Sequence, residues 1–104
     1  MTAEGLKGHL DGLILATLAQ GPAHGYAIAQ QLRSRSGGTF DLPEGTLYPA
    51  LHRLERAGLI AGDWSTEAGR RRRTYRLTHS GERGLRQRRS EWRLFATAVE
   101  AVMT

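Results

Sequence analysis

Four consecutive arginines, Arg70 to Arg73, follow Gly69 and form the densest chemistry in the chain. A guanidinium is always charged and presents five N–H donors in a planar fork that matches phosphate oxygens in pairs. Such a run needs an anionic surface or free solvent, because an unpaired buried charge costs more than packing returns. Its surroundings share its sign. Residues 70–104 hold ten arginines against Glu82, Glu91 and Glu100, net +7, whereas residues 1–69 hold five cations against seven acids, net −2. A localised field of this kind attracts polyanions, nucleic acid ahead of a membrane surface, since no long apolar stretch accompanies it. A merely solubilising charge run is the alternative.

A second group lies upstream. Leu47, Ala50, Leu51 and Leu54 recur at helical spacing, which leaves Thr46, Tyr48, Pro49, His52, Arg53 and Arg56 on other faces. That asymmetry is what a groove-reading helix needs. Thr46 and Tyr48 near its start can give hydroxyls to phosphate oxygens, and His52, Arg53 and Arg56 can reach bases or backbone further along. Pro49 inside the helix forgoes one backbone bond, an odd choice for a purely structural element. Two amphipathic helices joined by a glycine-bearing loop also occur in ordinary bundles.

Other chemistries find little support. With no cysteine there is neither a disulfide framework nor a thiolate metal site, and His9, His24, His52 and His79 lack the i, i+4 spacing of a helical metal site. Asp41 and Glu44, the nearest paired acids, suit a turn and a helix start, and no glycine-rich phosphate loop or nucleophile elbow is present. We therefore expect no enzyme, metal or cofactor. Met1 to Lys7 is short and polar, Leu13 to Leu18 is too brief for a secretory core, and nothing approaches the roughly 18 apolar residues of a membrane span. The expectation is a soluble, cytoplasmic protein.

The elements that must position these groups follow from periodicity. Leu10, Leu13, Ile14 and Leu18 share one helical face, and Gly21-Pro22 ends that helix. A second helix runs from about His24 to Arg33 with Gly25, Ile28, Ala29 and Leu32 inward. The third starts at Pro43-Glu44, suited to a first turn, and ends at Ala57-Gly58. Residues 59–64 and 73–77 are short and β-favouring, predicting a hairpin whose long loop, Ser65 to Arg72, carries arginines that nothing in the domain neutralises. Trp64 and Tyr75 are expected inside, at the hairpin's base. Thr78 or Ser80 caps a final helix. On it Leu85, Trp92 and Val99 stand seven residues apart, with Arg88, Phe95 and Val102 between, a broken heptad.

The fold class expected is mainly α with a two-stranded β-wing. Residues 1–78 form a winged helix-turn-helix and 79–104 a long C-terminal dimerisation helix, together one compact unit. Leu85, Trp92, Phe95 and Val99 form the dimer-facing stripe, on which Trp92 either fills the interface or stacks on a planar ligand.

The segment Leu42-Pro43-Glu44-Gly45-Thr46-Leu47-Tyr48-Pro49-Ala50-Leu51, with Arg53-Leu54-Glu55, Gly58-Leu59-Ile60 and Gly69-Arg70-Arg71-Arg72 through Tyr75-Arg76-Leu77-Thr78, closely resembles the PadR family of transcriptional regulators. Leu13-Ile14-Leu15 and His24-Gly25-Tyr26 also match, so the resemblance covers roughly residues 8–85. It implies Thr46 and Tyr48 as DNA-facing residues, Arg70 to Arg73 as backbone or minor-groove contacts, and Leu47, Leu51 and Leu54 as core. It further implies a homodimer of the compact subgroup that represses from a dyad-symmetric operator in double-stranded DNA. Ligand-responsive members of that subgroup place aromatic residues at a cavity between subunits, which makes a small hydrophobic or aromatic effector a candidate partner. The competing reading is a protein- or RNA-interaction module that uses the arginine-rich wing and the C-terminal helix.

Overall fold

A computed structural model describes residues 8–104; the short polar start, Met1 to Lys7, lies outside the described residues. The order is α1 (Leu10–Leu18), β1 (Ala23–His24), α2 (Gly25–Arg35), α3 (Glu44–Arg56), β2 (Ile60–Glu67), β3 (Arg70–Leu77) and α4 (His79–Met103). The strands form one antiparallel sheet in the order β1-β3-β2. This is a winged helix fold, mainly helical with a small sheet.

Each helix exists because it has an apolar face to bury. Leu47, Ala50, Leu51 and Leu54 of α3 are all buried, as their spacing requires. They meet Ile14 and Leu15 of α1, Ile28 of α2, Ile60 of β2 and Tyr75 of β3 in one core. The first helix is apolar nearly all round, with Leu10, Ile14, Leu15, Thr17 and Leu18 buried, the pattern of a helix enclosed by others. Its one buried hydroxyl is satisfied, since Thr17 Oγ1 donates to the Leu13 carbonyl at 2.9 Å. Pro49 leaves the Gly45 carbonyl without its helical donor, and Gly45 lies in an exposed first turn where water can serve instead.

Two corners close on each other beside this core. α3 ends at Gly58, whose φ of +77° suits a residue without a Cβ. Of the two candidate caps for α4, the structure uses Thr78, whose Oγ1 accepts from the Gly81 N–H at 3.0 Å and donates to the Gly58 carbonyl at 2.6 Å. The Thr78 N–H also donates to the Leu59 carbonyl at 3.2 Å. A single residue thereby starts α4 and ties it to the end of α3. The approach is so close that a Cβ on buried Gly81 would collide with the Leu59 carbonyl and stand 2.7 Å from Leu77 Cδ1.

From that corner α4 extends for 25 residues, about 37 Å at helical rise. α1 packs along its first half, placing Gly12 under Arg88 and His9 against Trp92, where the ring centroids are 5.4 Å apart. The radius of gyration, 14.6 Å, exceeds the roughly 13 Å of a compact chain of this length, as a projecting arm requires.

A matched pair of substitutions tests the corner. Gly81→Ala is expected to destabilise the fold by about 1–3 kcal/mol, lowering the melting temperature by several degrees. Gly84→Ala, whose Cβ would come no closer than 3.5 Å to Leu59 Cδ2, is expected to raise it slightly through helix propensity. Equal melting temperatures for the two variants would show that the corner yields.

Candidate nucleic-acid interface

The wing is built differently from its sequence expectation. Both strands run eight residues, in register from Ile60 opposite Leu77 to Glu67 opposite Arg70, and Ala68-Gly69 alone turn the chain. Their φ values, +49° and +76°, are those of the two-residue turn whose twist suits a hairpin. Arg70 to Arg73 therefore lie in β3 and not on a loop tip. Strand alternation splits them, Arg71 and Arg73 on the face that carries Trp64, Arg70 and Arg72 on the other.

Nor is the run left without neutralising partners. The Arg73 guanidinium donates to the Glu55 carboxylate in the last turn of α3, and the Gly62 N–H donates to the same Oε2 at 3.1 Å. Glu55 holds the Arg73 pKa above its ordinary value, by hydrogen bond first and charge second. The guanidinium fills the space of a side chain at Gly62. On the other face Arg72 Nη1 lies 2.8 Å from His24 Nε2 across to β1. His24 also caps α2, its Nδ1 accepting from the Ala27 N–H at 3.3 Å. A neutral imidazole has one acceptor nitrogen, so Arg72 and Ala27 compete for it, and a doubly protonated ring would serve neither.

Trp64, which the sequence places inside, is 56% exposed, because β2 runs past the edge of the core before reaching it. Its ring instead carries two cations, with the Arg71 guanidinium carbon 4.6 Å and that of Arg73 5.4 Å from the centroid. Tyr75 is inside as expected, 2% exposed, and burial pushes its phenol pKa up.

Between the wing, the start of α2 and the outer face of α3 lies an open cleft of about 660 Å³. Tyr48 and His52 of α3 and Arg70 to Arg73 of the wing all line it, so six of the anticipated residues border one cleft. Tyr48 crosses the start of α2 so closely that a Cβ on Gly25 would lie 2.8 Å from its hydroxyl oxygen. No carboxylate is among the lining residues, so the cleft offers cations, imidazoles and phenols to an anionic ligand. Thr46 and Arg53 are not among its lining. Arg53 is turned toward α1, where Nη2 donates to Asp11 Oδ1 at 2.5 Å. Sequence reasoning missed His24, Tyr26 and Trp64 as lining residues; the available signal was Tyr26, an aromatic on the outward side of α2, 64% exposed.

The stripe on α4 divides. Leu85, anticipated as dimer-facing, is 4% exposed in the chain's own core, because α1 and the sheet still cover the helix there. Beyond the cover of α1, Trp92, Leu94, Phe95, Val102 and Met103 are exposed, while Val99 is half-covered. Trp92 and Phe95 sit 6.0 Å apart, centroid to centroid. Among the described residues no group of histidine and carboxylate side chains could hold a metal ion, and no helix is long and apolar enough to cross a membrane.

Glu55→Gln keeps the side chain's shape but removes its charge. Amide hydrogen exchange at Gly62 to Trp64 and Arg73 to Tyr75 is expected to quicken by about tenfold, with the α1 amides unchanged. Unaltered wing exchange would mean that the strands hold without this pair.

Residues 14–87 match the family described as "Transcriptional regulator PadR-like family". The transcriptional regulator Rv3488 of Mycobacterium tuberculosis is 42% identical over 76 residues, 73% of this chain and 68% of that protein. A transcriptional regulator from Clostridium thermocellum superimposes with a TM-score of 0.90 at 31% identity, over 97% of this chain and 99% of the other. A PadR family regulator from Clostridium difficile gives 0.83 at 36% identity, over 93% and 100%. With the family's sequence pattern spanning most of its length and its fold reproduced throughout, the chain belongs to the PadR-like family of transcriptional regulators.

Proposed function

We propose that the protein is a sequence-specific double-stranded-DNA-binding repressor, working as a homodimer on a dyad-symmetric operator and catalysing no reaction. The observation that carries this reading is the cleft of a single sign, which sets Tyr48 and His52 of α3 beside Arg70, Arg71 and Arg72 of the wing. In it α3 enters the major groove, Thr46 and Tyr48 hold the phosphates at its entry, and His52 meets base edges. Arg70 to Arg72 lie along the flanking backbone or in the narrow minor groove, where the potential is most negative. Arg53 and Arg73 contribute less, being paired with Asp11 and Glu55.

Residues 1–78 are the DNA-binding unit and 79–104 the dimerisation helix. The exposed Trp92, Phe95 and Val102, spaced along one face, support pairing with a second copy, since so much apolar surface on one arm is unfavourable in water. A small hydrophobic or aromatic effector placed between two copies of Trp92 and Phe95 would release the operator by favouring the incompetent dimer. The site of action is the cytoplasm, where the operator is.

A gel-shift with the protein's own upstream region and a scrambled duplex tests the reading at two salt concentrations. If a dimer makes on the order of 6 to 10 phosphate contacts, affinity is expected to fall about a thousandfold or more between 50 and 200 mM salt, with the native fragment alone retained at the higher value. Arg71→Ala with Arg72→Ala is expected to weaken both duplexes alike. Equal, salt-labile binding to both duplexes by the unaltered protein would instead mark a general polyanion binder. Sedimentation is expected to give twice the 11.5 kDa chain mass, and the single-chain mass once Trp92 and Phe95 are both alanine. A wild-type monomer would remove the dimer from the proposal.

A further inference from the structure

Asp11 of α1 lies between the two helices to which the proposed function gives different tasks. Its Oδ1 accepts from Arg53 of α3 at 2.5 Å, and its Oδ2 stands 3.9 Å from Arg88 Nη2 of α4. Arg88 holds a position in the seven-residue repeat otherwise filled by Leu85, Trp92, Phe95 and Val99, where packing alone would select an apolar side chain. Its stem lies on Gly12, with Cδ 3.4 Å from where a Cβ would stand, and its Nε is buried with no hydrogen-bond partner among the described residues. The Arg88 side chain is 36% exposed, so its charge stays partly in water while its Nε is covered, and a polar residue held in an otherwise apolar repeat is a known device for fixing register.

The geometry supplies the register. Among the described residues, hydrogen bonds tie α4 to the end of α3 at Thr78, through Gly58 and Leu59, and beyond that corner its first half rests on α1. Ten residues later, about 15 Å along the helix, Arg88 reaches Asp11, and Asp11 holds Arg53 on α3 itself. Two separated attachments define an axis where one defines only a hinge. Leu85, between them, is buried in the core and makes no polar contact that would set the angle. A rotation of about 5° about Thr78 would move the far end of α4 by about 3 Å, close to the rise of one base pair.

We propose that Asp11 is the positioning residue that fixes α3 against α4, and through the dimer sets the half-site spacing at which both recognition helices engage DNA. The proposal rests on the dimeric DNA-binding reading above. In it Arg53 serves the frame more than the groove.

The test uses the full chain and a duplex selected by the wild-type protein from a random pool. Spacers between the half-sites are lengthened and shortened by one and two base pairs, beside a duplex carrying one half-site. The wild type is expected to lose about tenfold or more in affinity per base-pair change. Asp11→Asn is expected to compress that range to about threefold, with single half-site affinity within about twofold of wild type. An unchanged spacing profile overturns the proposal, as does an equal loss on every duplex including the single half-site, which a merely structural role would give. Should Asp11→Asn melt below the assay temperature, Arg88→Met, which keeps the stem and removes the charge, is expected to compress the range in the same way, and its failure to do so is equally decisive. Selection of no dyad by the wild type would strike the dimeric reading itself, and this proposal with it, whereas a wild-type dyad read with unaltered spacing by the variants strikes this proposal alone.

Discussion

One carboxylate decides what the wing can be. Glu55 takes a backbone N–H from Gly62 and the guanidinium of Arg73, and so fixes both strands of the hairpin to the last turn of α3. Because side chains alternate along a strand, anchoring Arg73 settles the direction of its neighbours: Arg71 shares its face, Arg70 and Arg72 take the other. Gly62 must leave room for the guanidinium, and Trp64, opposite Arg73 in the register, becomes the plate on which Arg71 and Arg73 lie. Arg72 then meets His24 and secures the sheet's other edge. A positive ribbon that would otherwise repel itself thus stands at a set angle to the helix beside it.

The four arginines are therefore not equivalent. Arg73 is compensated by an opposite charge, and Arg72 lies against the His24 imidazole, which carries no negative charge to cancel its field. Arg71 is held by an indole, which favours the cation over its face and likewise leaves the charge available. This gradation, from anchored at the core to uncompensated toward the turn, suits a surface that must be rigid at its base and strongly attractive at its edge.

The helices were legible because burial imposes a 3.6-residue period on apolar residues, and α3 buries the four residues its spacing names. The length of the wing was not legible. Ser65, Thr66 and Glu67 stand opposite Arg72, Arg71 and Arg70, so both faces of the outer hairpin are polar and the two-residue alternation that reveals a strand disappears. β1 is two residues long and pairs with residues some fifty positions away, which leaves no local trace. Trp64 misled for a related reason: alternation puts it on the face of Ile60 and Tyr75, but the core ends before the strand does. The stripe on α4 shows the same limit, since periodicity identifies a face and not where its neighbour stops; Leu85 falls under α1 and the sheet while Phe95 does not. The pairing of Asp11 with Arg53 spans 42 residues and carries no sequence signature.

The two tryptophans, the only ones in the chain, stand at opposite ends of this division of labour. Trp64 lies under guanidinium groups at the cleft, and Trp92 lies on the arm between His9 and Phe95. Both are half-exposed, so each indole's emission responds to whatever displaces water from its own surface. Cations drawn away from Trp64 and a face closed over Trp92 would alter brightness and colour independently. A chain with either residue replaced by phenylalanine thus carries a native optical reporter of one working surface, with no dye attached.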